Sequence, residues 1–447
     1  MFTAFQRFLT PYLNDKPIYV AYSGGMDSQV LLHLLVTLRN QIPSLNIGAV
    51  HIHHGLSSNA DSWQVHCANI CEQWQVSFLT ARLSLRPDAG ESLEAAARKA
   101  RYAAIAKLVP ANSVVLLGHH LQDQLETMLL QLKRGAGPKG LSAMGKETLR
   151  DGHLYLRPLL EIERDDILAY AKANKLQWIE DESNADERFD RNFLRHNILP
   201  MLQSRWPAMA KATARSARLC AEQQSLLDEV VSGYLQKLRR APTILDIPLL
   251  MAHARAWQQQ IIRLWLAGLD APALSEKQLD MLKDEVLLAR EDANPCLSFG
   301  GYELRRFDNA LYLLKQDGVM NDFSVLWHGQ HELALPDGRI VLFSRSSDNQ
   351  HPDTLCLSVP DGAMVSLQTG GFSQRFRPVG APHSKPLKQW FKQWRMPPWE
   401  RERLIMVRVD DTIAGILGFG ADQAFSPVNP GDGLLCLCLK RQETASD

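Results

Sequence analysis

Ile18-Tyr-Val-Ala-Tyr-Ser-Gly-Gly-Met-Asp-Ser28 is the stretch that decides how this chain folds. The apolar run Ile18 to Tyr22 reads as a buried strand, and the leucines after Ser28 (Leu31, Leu34, Leu35, Leu38) mark one face of a helix. Between them, Gly24 and Gly25 let the backbone turn tightly and approach a ligand. The N–H groups that open the helix then favour an anion, with Ser23 and Ser28 adding donors. Asp27 is placed to orient a magnesium ion or an amine. No lysine follows the glycines, so this is a pyrophosphate cradle of a different kind from the Gly-x4-Gly-Lys loop.

Three further strands are expected at Ile47–Ile52, Val76–Thr80 and Val114–Gly118, alternating with helices that include 91–108 and 122–133. Arg157–Leu160 is expected to close the sheet. This order gives an α/β fold, a doubly wound and mainly parallel sheet whose crevice lies outside the carboxyl ends of the strands. Three loaded segments fall at such ends: the Ser23 loop, His53-His54, and His119-His120 with Asp123 and Glu126 one turn on.

Each has a plain reading beside the functional one. The histidines have no third ligand at recognisable metal spacing, so phosphate contacts or loop caps suit them better. Asp123 and Glu126 either stabilise a helix start or form an acidic pocket for a cation. Arg188, Arg191 and Arg195 are either a solvated helix face or an RNA surface.

The 447 residues carry 49 basic and 49 acidic side chains, so a nucleic-acid surface has to come from local clustering. Such a cluster stands near the C-terminus: Arg375, Arg377, Lys385, Lys388, Lys392 and Arg395 interleaved with Trp390, Trp394 and Trp399. The tryptophans suit base stacking or a packed core equally well. Seven scattered cysteines argue against a disulfide framework and for buried thiols. There is no signal peptide and no apolar run that would span a bilayer, so a cytoplasmic protein is expected. Four regions are read: a catalytic domain (1–215), a mainly helical domain (216–315), a linker (316–353), and a small β-rich, basic C-terminal domain (354–447).

SGGMDS, HIHHGLSSNAD, GHHLQDQLETMLLQLKRGAG and WIEDESNADERFDRNFLRHNILP resemble the N-type ATP pyrophosphatase domain of bacterial tRNA(Ile)-lysidine synthetases. RFRPVGAPHSKPLKQWFKQWRMPPWERERL is similar to that family's terminal domain. The likeness spans about residues 15–220 and 355–440. It implies an enzyme that adenylates the wobble cytidine of a CAU-anticodon isoleucine tRNA through O2, activating C2 and releasing pyrophosphate. L-lysine then displaces AMP.

On that reading Ser23, Gly24, Gly25, Met26, Asp27, Ser28, His53 and His54 bind ATP, and Asp27 holds magnesium. Asp27, Asp123 and Glu126 are catalytic. Asp123, Glu126, Arg98 and Arg191 receive lysine. Arg195, Arg205 and the C-terminal cations Arg375, Arg377, Lys385, Lys388, Lys392 and Arg395 contact tRNA. A homodimer is left open. A tRNA thiolase of the same superfamily and a non-catalytic nucleotide-sensing RNA-binding protein are the alternatives.

Overall fold

The structure is a computed structural model that describes residues 1–13, 16–53, 55, 57, 59–83, 93–182, 186–290, 293–316, 322–345, 354–427 and 434–440, with the backbone alone for 93–95. His54 lies outside the described residues. Two compact units divide the chain, Met1–Val230 and Val231–Asp447.

The first unit is built on a six-stranded sheet. Its strands are β1 (Ile18–Ala21), β2 (Ile47–His53), β3 (Ser77–Arg82), β4 (Val114–Leu116), β5 (Glu147–Arg150) and β6 (His153–Leu156), in spatial order β3-β2-β1-β4-β6-β5. All neighbours run parallel except the β5–β6 hairpin. The closing strand is therefore His153–Leu156 and not Arg157–Leu160. Arg157 instead turns inward, donating to the Gly145 carbonyl at 2.8 Å and to Thr148 Oγ1 at 3.0 Å. The Asp151-Gly152 turn, left-handed at both residues, was the available signal for that hairpin.

Alternation along β1 sends Ile18 and Val20 into one apolar core and Tyr19 into another. The first core packs against α1 (Phe2–Leu9), α2 (Met26–Gln41), α3 (Ala60–Gln73) and α7 (Arg164–Ala173). The second packs against α4 (Leu93–Leu108) through Tyr102 and Ile105. Covered on both faces, β2 and β4 are buried throughout, as parallel strands require. From β1 the chain winds out to β2 and β3, then crosses to the other side at β4. The β1–β4 seam is the switch point where such sheets bind ligands. The loop after β1 and the segment after β4 flank it.

In the second unit, residues 239–315 contribute a five-stranded antiparallel sheet beside the helices Arg255–Ala267 and Glu276–Met281. Residues 216–315, expected to be mainly helical, thus combine helices with a sheet. Two small antiparallel sheets follow, sharing a core that includes Val341, Leu357, Val407 and Leu437. The strands Ser324–Leu326, Glu332–Ala334 and Ile340–Ser344 belong to them, so the expected linker 316–353 carries structure. Pro336-Asp-Gly338 between alternating residues is the hairpin signal there, with Gly338 at φ +84°. Antiparallel pairing sets Cys356 opposite Cys436 in a disulfide, which their separation along the chain concealed. Cys67 and Cys71 are the buried thiols expected.

Candidate active site

The cradle is held from within and from above. Ser23 Oγ accepts from the Gly25 N–H at 3.3 Å and lies 3.1 Å from Ser28 Oγ, which donates to the Gly25 carbonyl at 2.9 Å. Gly24 sits at φ +86°, a conformation only glycine adopts without strain. A Cβ there would collide with the Ile179 side chain and lie 2.9 Å from Cys67 Sγ. Ile179 also donates its backbone N–H to the Gly24 carbonyl at 2.9 Å, clamping the loop. Nothing in the local sequence marks Ile179 for that role.

Across the seam, His120 precedes α5 (Leu121–Lys133) and donates its backbone N–H to Asp123 Oδ2 at 2.8 Å. Its buried imidazole stands between two carboxylates, with Nε2 3.8 Å from Asp27 Oδ2 and 3.6 Å from Asp123 Oδ2. The first turns of α2 and α5 therefore face each other through one histidine. Burial raises the pKa of Asp27, reinforced by Asp123 and opposed by His120. Burial also acts on Asp123, but His120, His119 and the His120 N–H outweigh it and hold that carboxyl below its usual range.

Glu126 is held by arginines. It has no exposed surface, and Arg195 takes both its oxygens in a fork of 2.8 and 2.9 Å. Arg191 Nε adds a contact at 3.4 Å. Burial raises the Glu126 pKa even against Arg195. Glu126 thus orders two arginines, and Arg195, expected on tRNA, is held by these carboxylates, also reaching Asp123 at 3.4 Å. Arg195 sits on a π-helical turn, Leu194–Ile198, between α8 (Asp190–Phe193) and α9 (Leu199–Arg205).

A cavity of about 660 Å³ opens beside the cradle, lined by Ser23, His53, Arg98, Arg101, Asp181 and Arg191 among others. Ser23, His53, Arg98 and Arg191, far apart along the chain, are thus brought together. The His53 ring itself is committed: Nδ1 accepts from the Gly55 N–H at 3.1 Å, and Nε2 lies 3.2 Å from Asp61. It caps its own loop while lining the cavity. Arg98 and Arg101 flank the Tyr102 ring at 5.5 and 5.7 Å. His119 faces this cationic wall. Burial, helped by Arg157, Arg101 and Arg98 and opposed by Asp123, pushes its pKa down to about 3.

Among the residues expected on tRNA, Arg205 is exposed at the end of α9. In the second unit the cations turn outward and the aromatics inward. Lys388, Lys392 and Arg395 are exposed, whereas Trp390 is buried and donates Nε1–H to the Phe376 carbonyl at 2.7 Å. Trp394 stacks between Trp390 and Phe419, and Trp399 packs on Tyr312. Lys385 lies over Trp390 at 4.8 Å. Arg375 and Arg377 donate to the carbonyls of Ser384 and Ala381.

A glycine-turned anion cradle at the switch point of a parallel sheet, with a second helix start aimed at it, defines a PP-loop nucleotide-binding protein. Residues 2–202 match the PP-loop domain family. The TilS substrate binding domain matches 245–312, and the TilS substrate C-terminal domain matches 365–435. The tRNA(Ile)-lysidine synthase of Serratia proteamaculans (strain 568) is 44% identical over 410 residues, covering 92% of each chain. That of Shigella flexneri is 41% identical over 408 residues, 91% of this chain and 92% of the relative. The chain belongs to the tRNA(Ile)-lysidine synthase family. Among solved structures, the U34-tRNA thiolase NcsA from Methanococcus maripaludis overlaps 49% of this chain and 77% of its own, at 18% identity and TM-score 0.42.

Proposed function

We propose that this chain ligates L-lysine to C2 of the wobble cytidine of a CAU-anticodon isoleucine tRNA, consuming ATP. Cytidine O2 attacks the α-phosphorus and pyrophosphate leaves. The lysine ε-amine, once deprotonated, attacks C2, and AMP departs carrying the former O2. The observation that supports this reading is the facing of Asp27 and Asp123 across His120, in the same unit as the cavity lined by Ser23, Arg98 and Arg191.

Each group has a task in that scheme. The N–H groups opening α2 and the Ser23 and Ser28 hydroxyls receive the pyrophosphate. Arg98, Arg101 and Arg191 supply positive charge for phosphate or for the lysine carboxylate. Asp123, held ionised, takes the lysine ammonium and keeps it close to C2. Glu126 fixes Arg195 and Arg191 in place. Asp27 Oδ1 is buried without a hydrogen-bond partner, an oxygen suited to a magnesium ion. No group of three or more metal-ligating side chains occurs among the described residues, and a magnesium ion shared with nucleotide phosphates needs none. Bound there, magnesium would neutralise phosphate charge. Arg205 and the exposed cations Lys388, Lys392 and Arg395 are assigned to the tRNA backbone.

A thiolase needs thiolates near the nucleotide. Burial pushes Cys67 and Cys71 up to about 12, which keeps both as inert thiols. The deciding experiment gives the purified protein ATP, labelled lysine and unmodified CAU-anticodon tRNA. Lysine-dependent AMP release with label in the tRNA is expected. No incorporation would overturn the reading.

A further inference from the structure

Two phenylalanines at the mouth of the crevice have no place in the scheme above. Phe189 lines the cavity and is 38% exposed; Phe193, one helical turn on, is 45% exposed. The Phe193 N–H donates to the Phe189 carbonyl at 3.0 Å, which sets the two residues one turn apart at the start and end of α8. Between them Arg191 and Asn192 point elsewhere, Arg191 to Glu126 and Thr127, and Asn192 to the Asp186 carbonyl at 2.9 Å. The backbone of this segment is thereby anchored while both rings stay partly exposed.

Exposed cations flank the rings, two of them paired with carboxylates. Lys133 Nζ holds Asp190 at 2.7 Å, which sets the end of α5, with Lys133 and the exposed Arg134, beside the start of α8. Arg188, the residue before Phe189, is almost wholly exposed and pairs with Asp186. Exposed aromatic rings flanked by cations, with a nucleotide-sized cavity behind them, match what single-stranded RNA requires: π-faces for unstacked bases and positive charge for the backbone. A reacting base has to leave the anticodon stack to reach the phosphate inside the cavity. Its neighbour then lies at the rim.

Resting on the ligase reading, we propose that Phe189 and Phe193 form a two-ring stacking platform for the anticodon loop, Phe189 beneath the reacting pyrimidine and Phe193 beneath the adjacent base.

The test first measures lysine incorporation by the wild-type protein, because failure there belongs to the ligase reading. Given incorporation, Phe189→Ala and Phe193→Ala are each expected to weaken tRNA binding about tenfold, with KM for ATP unchanged. Phe189→Tyr and Phe193→Tyr should restore it. A tRNA made abasic at the nucleotide flanking the wobble position tests the second ring directly: Phe193→Ala should cost nothing against it. Unchanged tRNA affinity in both alanine variants would overturn the platform. So would a rise in KM for ATP alone, which would put adenine on Phe189, or an equal loss by Phe193→Ala on intact and abasic tRNA.

Discussion

Arg195 and Glu126 form a closed pair, the guanidinium fork meeting both carboxylate oxygens at 2.8 and 2.9 Å with Glu126 out of reach of solvent. Removing one partner of such a pair leaves a buried charge and costs about 3–5 kcal/mol. Arg195→Ala should therefore lower stability by about that much in urea unfolding. The double variant Arg195→Gln/Glu126→Gln should recover a good part of it. A double variant no more stable than Arg195→Ala would show that the cost is not the stranded carboxylate.

Asp123 has two tasks, capping α5 through the His120 N–H and facing the crevice. Asp123→Asn keeps an oxygen for the cap and removes the charge. It should raise KM for lysine by tenfold or more, since a charge-assisted contact is worth about 1.5–3 kcal/mol, and leave tRNA affinity intact. Steady-state kinetics at fixed tRNA checks it. Loss of tRNA binding with lysine use preserved would remove lysine from this residue.

Gly24 is bounded by Ile179 and Cys67. Gly24→Ala meets both a left-handed φ and a filled space, so a loss of about 1–3 kcal/mol and a failure to use ATP are expected. Adding Ile179→Ala should relieve the nearer contact and leave the Cys67 contact and the backbone strain, restoring stability only in part. Thermal unfolding of the two variants separates these contributions. Full recovery in the double variant would mean the backbone carries no strain.

His119 is neutral in the folded state down to about pH 3, whereas an ordinary histidine titrates near 6.5. As pH falls through 6.5, the unfolded chain takes up a proton that the folded chain refuses, so stability drops between about 6.5 and 3. Replacing His119 by glutamine should flatten that acid limb. NMR titration of the imidazole in the wild type reads the same property directly. A ring that protonates near pH 6 in the folded protein would refute it.

Lys388 and Lys392 point outward from the helix Leu387–Gln393. If each meets one phosphate, Lys388→Ala and Lys392→Ala should each lower the slope of log binding constant against log salt by about 0.7 to 0.9. A slope unchanged in the double variant would clear this helix from the tRNA surface.

The strand-loop-helix alternation and the cradle were readable from residues alone because parallel strands buried on both faces are continuous apolar runs. The paired glycines alone fit any tight strand-to-helix turn; Ser23, Asp27 and Ser28 around them make the cradle specific. Short antiparallel strands were harder. Ser324–Leu326 and Glu332–Ala334 hold three residues each, too few for a period to show. Trp390 and Lys388 illustrate another limit. Their neighbourhood mixes aromatic and basic residues, and only packing told which side faces water.

The sequence by itself determined the chemistry available: an anion cradle at Ser23–Ser28, carboxylates at 27, 123 and 126, and arginines in reserve. Local spacing controls these, since a turn needs its glycines and a helix start carries its acids. The tertiary structure decided which charges meet. Glu126 and Arg195 stand 69 residues apart, and no local pattern relates them. Once folding buries the carboxylate, an unpaired charge there would be too costly, so the arginine turns inward to meet it.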